Sequence, residues 1–204
     1  MRNNAPAYED LLDHTGKPRP SFDMALSYEQ VRLGLAFHEA GHAVLSMAYG
    51  VHVVSSEVIA WQPSPDRWSV TGKTASEAHD VSPWHYAAQC AAGELAHVQY
   101  LLTSGLWTPQ LAAGCAADHD REKAIDVLAR FGYRLGRDHT PQGGKSWGMV
   151  RGIARRKVDR LWPEICAVAR AIDAADIVTG EQIADLTGLP NPPHPGPACL
   201  GGAA

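Results

Sequence analysis

The sequence predicts a mainly α-helical domain with a small β-hairpin or sheet. Apolar residues recur at three- and four-residue steps between recognisable helix start and stop signals, and one β-branched stretch, VHVVSSEVIAW at 51–61, stands apart from them. The composition, 45% apolar and 20% charged over 204 residues, is that of a globular chain able to bury a conventional core without disulfide staples.

Each element has a local cause. Ser27 followed three residues later by Gln30 forms a capping box, and Leu33, Ala36, Phe37, Ala40, Val44 and Met47 mark one buried face of a helix that runs to Tyr49, where Gly50 supplies the stop. The β-branched run then gives a strand. Pro63 to Asp66 makes a turn, and Trp68 to Thr74 resumes the extended pattern, so the pair reads as a hairpin or two edge strands. Ser82-Pro83 opens a second helix, reaching Leu102, whose small residues Ala87, Ala88, Ala91, Ala92 and Gly93 allow another helix to approach closely. A third helix is expected over Asp118–Phe131, ended by Gly132 and followed by a glycine-bearing loop to Lys145. A fourth spans Ser146 to Ala175 with an interruption near Pro163. The last, Thr179 to Leu186, opens with a second capping box, Thr179 and Gln182.

Outside this body the chain changes character. Residues 1–26 carry three prolines and scattered charges and read as a flexible N-terminal arm, whereas 189–204 have five prolines and three glycines in sixteen positions and read as a disordered tail. The folded domain is therefore expected over 27–188. The net charge of −4 disfavours nucleic acid or an anionic membrane as partner, and the cluster Arg151, Arg155, Arg156, Lys157 and Arg160 reads as a solvated helix face. No membrane segment or secretion signal stands out. Cys90, Cys115, Cys166 and Cys199 form no C-x-x-C pair, and a cytoplasmic, reduced protein is the expectation.

The chemistry concentrates in His38-Glu39-Ala40-Gly41-His42, an H-E-x-x-H pattern inside the first helix. Histidines at i and i+4 share a helix face one turn apart, so both imidazoles can converge on one Zn²⁺. Glu39 sits beside His38, placed to take a proton from a metal-bound water and return it to a leaving amine. That is the layout of a metal-dependent peptide hydrolase. From the chain's own histidine and glutamate content the pattern is expected by chance about 0.02 times, so coincidence is a poor account of it. A catalytic zinc needs a third protein ligand and one open position. The candidates are Glu94 in the second helix and Asp118, His119 and Asp120 at the start of the third, where either aspartate alternatively serves as a helix cap.

The stretch Ala36-Phe37-His38-Glu39-Ala40-Gly41-His42-Ala43-Val44 closely resembles the active-site helix of the FtsH family of ATP-dependent zinc metalloproteases. Ala91-Ala92-Gly93-Glu94-Leu95-Ala96 is similar to that family's A-A-E-E-L helix, and Ala116-Ala117-Asp118-His119-Asp120 with Ala124 is similar to its A-S-N-D-x-x-x-A segment. Trp162 to Leu186 also resembles the closing helices of such domains, so the likeness covers residues 28–188. It implies a zincin-like helical metalloprotease fold, Zn²⁺ as cofactor, His38, His42 and Asp120 as metal ligands and Glu39 as catalytic base. Asp118 remains the alternative ligand. Glu94 is expected beside the site, as a supporting partner or, less readily, a ligand.

The departures matter too. The family's ATPase module has no counterpart, for Gly144-Lys145-Ser146 only imitates the end of a phosphate-binding loop, and His139 stands where the first glycine belongs. Gln89-Cys90 replaces the family's glycine-arginine before A-A-E-E-L. The expected function is thus hydrolysis of peptides or unfolded protein, alone or with a separate unfoldase, including docking on an ATPase ring. The alternative is a catalytically inactive zinc-binding regulatory or interaction domain. Ser69 to Thr74 is the candidate edge strand for holding extended substrate, with Trp61 and Trp68 as candidates to line its groove.

Overall fold

A computed structural model describes residues 5–19, 25–64 and 67–194. The body is built from seven helices, α1 Tyr28–Ala48, α2 Pro83–Thr103, α3 Pro109–Gly114, α4 Asp118–Arg130, α5 Trp147–Arg160, α6 Trp162–Ala175 and α7 Gly180–Thr187, among the described residues. Five strands accompany them: β1 His52–Ser64, β2 Arg67–Glu77, β3 Leu135–Gly136, β4 Lys145–Ser146 and β5 Ile177–Thr179. The expectation of a mainly helical domain with a small sheet agrees with this architecture.

Helix α1 is the axis of the molecule. Its Ser27 and Gln30 form the capping box reciprocally, and from Ala36 to Met47 every residue is buried, because α2, α6, β1 and β2 all pack against it. A helix buried on all sides needs small residues where a neighbour's backbone passes. Gly41 is such a place, since a Cβ there would lie 2.7 Å from both the Ala92 carbonyl oxygen and the Ala96 Cβ of α2. The small-residue run of α2 thus brings the two helices close enough to share one site.

The main sheet has the order β2-β1-β5 and is antiparallel throughout. Among the described residues strand β2 pairs with β1 alone, through a register that sets Gly72 opposite Val58 and Thr74 opposite Ser56. The Val58 N–H is directed to the other side, donating to the Asp176 carbonyl at 2.8 Å. Opposite residues in an antiparallel ladder either exchange both backbone bonds or neither, so the N–H and C=O of Gly72 point away from β1, along the outer edge of the sheet.

The interruption expected near Pro163 falls at Leu161, where α5 and α6 meet. Other features differ from expectation in detail. The loop of 133–145 contains a short parallel pair, Leu135–Gly136 with Lys145–Ser146, and α3 and β5 are additions. Arg155, Arg156 and Arg160 are exposed on α5 as read, but Arg151 instead pairs with Glu94 of α2 at 2.7 Å.

Both ends read as unstructured from the sequence have, over their described parts, contacts with the body. Residues 5–19 include a 3-10 turn, Tyr8–Leu11, that packs on β2. At the other end Asn191 bonds to both N–H and C=O of Val53 at 2.9 Å each, and the Pro192 carbonyl accepts from His52. The remainder of the expected tail, 195–204, lies outside the described residues. Cys90 and Cys115 are buried free thiols that burial pushes up to about 12, so neither ionises readily. No helix among the described residues is long and apolar enough to cross a membrane.

Candidate metal centre

The helical spacing of His38 and His42 aims both imidazoles at the N-terminus of α4. Their Nε2 atoms lie 3.0 Å apart, and the Asp120 Oδ2 lies 3.3 Å from the first and 3.2 Å from the second. All three side chains are at least largely buried, and the ligand atoms of the group fall within 4.8 Å of one another. A tetrahedral ion bound at about 2.0–2.1 Å holds its ligands about 3.3 Å apart, so these donors are spaced as a zinc ion would space them. A Cβ on Gly93 of α2 would sit 2.4 Å from the His42 Nε2 and 2.5 Å from the His38 Nε2. Only a residue with no side chain leaves the donors their space.

The tautomer of His42 is set by its other nitrogen. Nδ1 lies 2.8 Å from the buried Gln89 carbonyl, which can only accept, so Nδ1 carries the proton and Nε2 presents its lone pair whenever the ring is neutral. Burial by itself would lower the pKa of this imidazole, but the adjacent Asp120 carboxylate, its hydrogen bond and the charge of Glu39 outweigh it and raise His42 to about 9. Burial likewise opposes ionisation of Asp120. The neighbouring His42 and the hydrogen bonds from the His38 and His42 rings overcome that, holding the carboxyl well below the usual aspartate range. Position in the first turn of α4 adds a favourable helix-end field. The group is therefore an imidazolium-carboxylate pair; a divalent cation bound by these donors would displace that proton.

The sequence left Asp118 and Asp120 open on residue pattern alone. The geometry separates them. Asp118 is 65% exposed and pairs with Arg121 at 3.0 Å, while Asp120 joins the histidines. Neither is needed as the cap, since the N-cap position of α4 is Ala117. Glu94 lies outside the donor group, because Arg151 holds its carboxylate; burial still raises its pKa, with the Arg151 charge opposing. His119 rests its Nε2 3.5 Å from the other oxygen of Asp120, and burial lowers its pKa to about 4, so it faces the cleft as a neutral ring.

Glu39 is turned to the opposite wall. Its Oε2 accepts from the Thr74 hydroxyl of β2 at 2.8 Å, and Thr74 is 2.9 Å from the Ser56 hydroxyl of β1. A hydroxyl has one proton, so Thr74 spends it on the carboxylate and Ser56 supplies the next link. Gly72 makes room for this carboxylate, for a Cβ there would meet Glu39 Oε1 at 2.5 Å. The cleft so formed has a volume of about 360 Å³ and is lined by His38, Glu39, His42, Gly72, Thr74 and Asp120, with residues of the N-terminal segment along its rim. Of the sequence's groove candidates, Gly72, Lys73 and Thr74 border this cleft. Trp68 does not; it packs 5.0 Å from Tyr28 and lines a separate cavity.

Two participants carried no sequence signal. The Gln89 carbonyl is a backbone group available from any residue, and Thr74 is one of many strand threonines. His97 of α2 is a third buried neighbour of the site, with its ring edge-on to His38 at 6.4 Å. Its Nε2 has no hydrogen-bond partner among the described residues, and burial lowers its pKa to about 3, the His38 charge contributing, so it stays neutral. It abuts Gly34, where a Cβ would come within 2.4 Å of that nitrogen. No protein-family model matches this chain, and no curated protein matches it.

Proposed function

We propose that this chain is a zinc-dependent peptide hydrolase of zincin-like type, similar in its site to the FtsH proteases. The observation that carries the reading is the convergence of His38, His42 and Asp120 on one point, in a cleft that also holds the Glu39 carboxylate. Structural zinc sites use four protein ligands; among the described residues this group has three, which suits a site that keeps a position for substrate or solvent. Zinc bound there supplies a Lewis acid that lowers the pKa of water and polarises a carbonyl.

The protein's own residues do the rest. Gln89 fixes the His42 ring, and Gly93 leaves both rings their approach. Glu39 is the proton acceptor, oriented by Thr74, and its return of the proton to the leaving amine completes general acid-base catalysis. The outer edge of β2, on the side away from β1, offers backbone groups beside Glu39 with which an extended peptide can pair, so the substrate class is an extended or unfolded polypeptide.

The test is metal analysis of purified protein followed by cleavage of casein with and without a chelator. We expect about one zinc per chain, lost in His42→Ala and Asp120→Ala, and cleavage that the chelator stops. Zinc at full occupancy with no cleavage of casein or short unstructured peptides would overturn the hydrolase assignment and leave a metal-binding regulatory domain.

A further inference from the structure

The N-terminal segment crosses the mouth of the metal cleft and is tied to both of its walls. On the sheet side Asp10 pairs with Lys73 of β2 at 2.9 Å, and the Arg19 guanidinium donates to the Gly72 carbonyl at 3.3 Å. On the opposite side His14 donates to Asp126 of α4 at 2.7 Å, six residues along the helix from Asp120. Between these anchors the segment is a closed loop rather than a loose thread. Leu12 and Pro18 bridge, the Asp13 N–H donates to the Lys17 carbonyl at 2.7 Å, and the Asp13 carboxylate accepts from the N–H groups of Thr15 and Lys17. The Arg19 guanidinium also donates back to the Leu12 carbonyl at 2.9 Å, so the group that reaches β2 is braced from within the loop.

The position of the Arg19 bond is decisive. Gly72 turns its N–H and C=O to the outer edge of the sheet, so its carbonyl is one that an added peptide strand beside Glu39 must use. Arg19 occupies it. The segment and an extended substrate therefore cannot both have this edge, and Glu9, Asp10, Leu12, Asp13 and His14 line the same cleft as the metal group.

We propose that residues 5–19 are an autoinhibitory strap, which closes the metal cleft and competes with an extended peptide for the outer edge of β2. The inference rests on the hydrolase reading for the identity of the cleft, but the competition itself is a statement about binding. Each anchor is exposed or partly exposed, so no single one holds the strap firmly, and a ligand that pairs with β2 over several residues displaces all of them together.

The test uses the zinc-loaded chain of 204 residues carrying Glu39→Gln, so that bound peptide stays intact. The probe is a fluorescein-labelled, uncharged extended peptide of alanine, valine, threonine and glutamine, with binding read by anisotropy. Adding Asp10→Ala and Arg19→Ala together is expected to tighten binding about tenfold, since the strap's competing bonds are gone. Unchanged or weaker binding, in a variant whose thermal unfolding matches the parent, overturns the strap. If that variant folds poorly, hydrogen exchange in the parent decides. Saturating peptide should speed exchange in 5–19; unchanged or slowed exchange overturns the proposal. Hydrolysis is scored separately in chains with Glu39 intact. Peptide binding tightened by strap release, without any cleavage, removes the hydrolase reading and leaves the strap; cleavage that is indifferent to strap release does the reverse.

Discussion

The two walls of the cleft are made in different ways. The ligand wall is helix packed on helix: His38 and His42 belong to the fully buried stretch of α1, braced by Gly93 and the Gln89 carbonyl of α2 and faced by Asp120. The sheet wall is an edge strand with one paired neighbour, whose Thr74 orients Glu39 and whose outer carbonyl is borrowed by Arg19. Donors that must stay within a few tenths of an ångström sit where packing is densest, whereas groups that must meet a substrate sit where backbone remains to be paired. Metal affinity and turnover should therefore separate under mutation according to the wall that is touched.

The largest effect belongs to Glu39→Gln. The amide keeps the shape and an acceptor for Thr74 but cannot take a proton, so peptide cleavage should fall about 10³-fold while zinc content is unchanged. Cleavage within tenfold of wild type would remove Glu39 as the base.

Gly93→Ala attacks the other wall. The new methyl would overlap both ring nitrogens, and because the rings are buried among α1 and α2 they cannot swing aside freely. Zinc affinity should drop about 100-fold, the scale on which disturbed support of metal ligands is felt. Competition with a chromogenic chelator measures this, with circular dichroism to establish that the helices remain. Equal affinity would show that the donors do not converge over Gly93.

How far these roles were legible depends on whether side chain or backbone carries them. H-E-x-x-H and both capping boxes are side-chain patterns within a few residues, the hairpin is one continuous stretch of chain, and α1, α7, β1 and β2 lie where those patterns put them. The choice between Asp118 and Asp120 was not legible from spacing alone, because two residues of helix turn one carboxylate toward the histidines and the other to Arg121. The Gln89 carbonyl and the outward edge of Gly72 were invisible for a deeper reason: any residue has the same backbone groups, and only tertiary packing directs them. Short β5 was missed although Ile177, Val178 and Thr179 are all β-branched, since three residues make a strand only when a partner such as β1 is present. The strap was missed because its ties are single polar contacts to residues far along the chain.

Protonation sharpens the comparison further. The His42 pKa, raised from 6.5 to about 9 in the metal-free fold, contributes stability that is fully present below 6.5 and is lost as pH rises through about 9. Asp120 is the other half of the same interaction and is not counted twice. The metal-free protein should therefore lose on the order of 2 kcal/mol between pH 6.5 and about 8.5 by urea denaturation, a slope that His42→Ala flattens. His97 and His119, held neutral by burial, offset this loss only near the lower end of the interval, where their unfolded counterparts still take up protons, and the thiols of Cys90 and Cys115, pushed up by burial, add to it only near the upper end. With zinc the trend should invert, because metal binds the deprotonated ring and its stabilisation grows as the proton leaves. A metal-free stability that is flat over this interval would break the assigned pair.

The smallest effect tests the seam between the walls. Thr74→Val keeps the β-branched shape that suits β2 and removes only the hydroxyl that links Ser56 to Glu39. The ligand wall does not use that hydroxyl, so zinc affinity should stay within about twofold of wild type. Glu39 stays in place against Gly72 but loses its orienting donor, and kcat should fall about tenfold with KM little changed, the signature of an interaction that matters to the reacting geometry more than to substrate binding. Thr74→Ser, which restores the hydroxyl, should recover most of the loss. A Thr74→Val chain with unaltered kcat would mean that α1 alone holds Glu39 in position, and the sheet wall would then serve the substrate and nothing else.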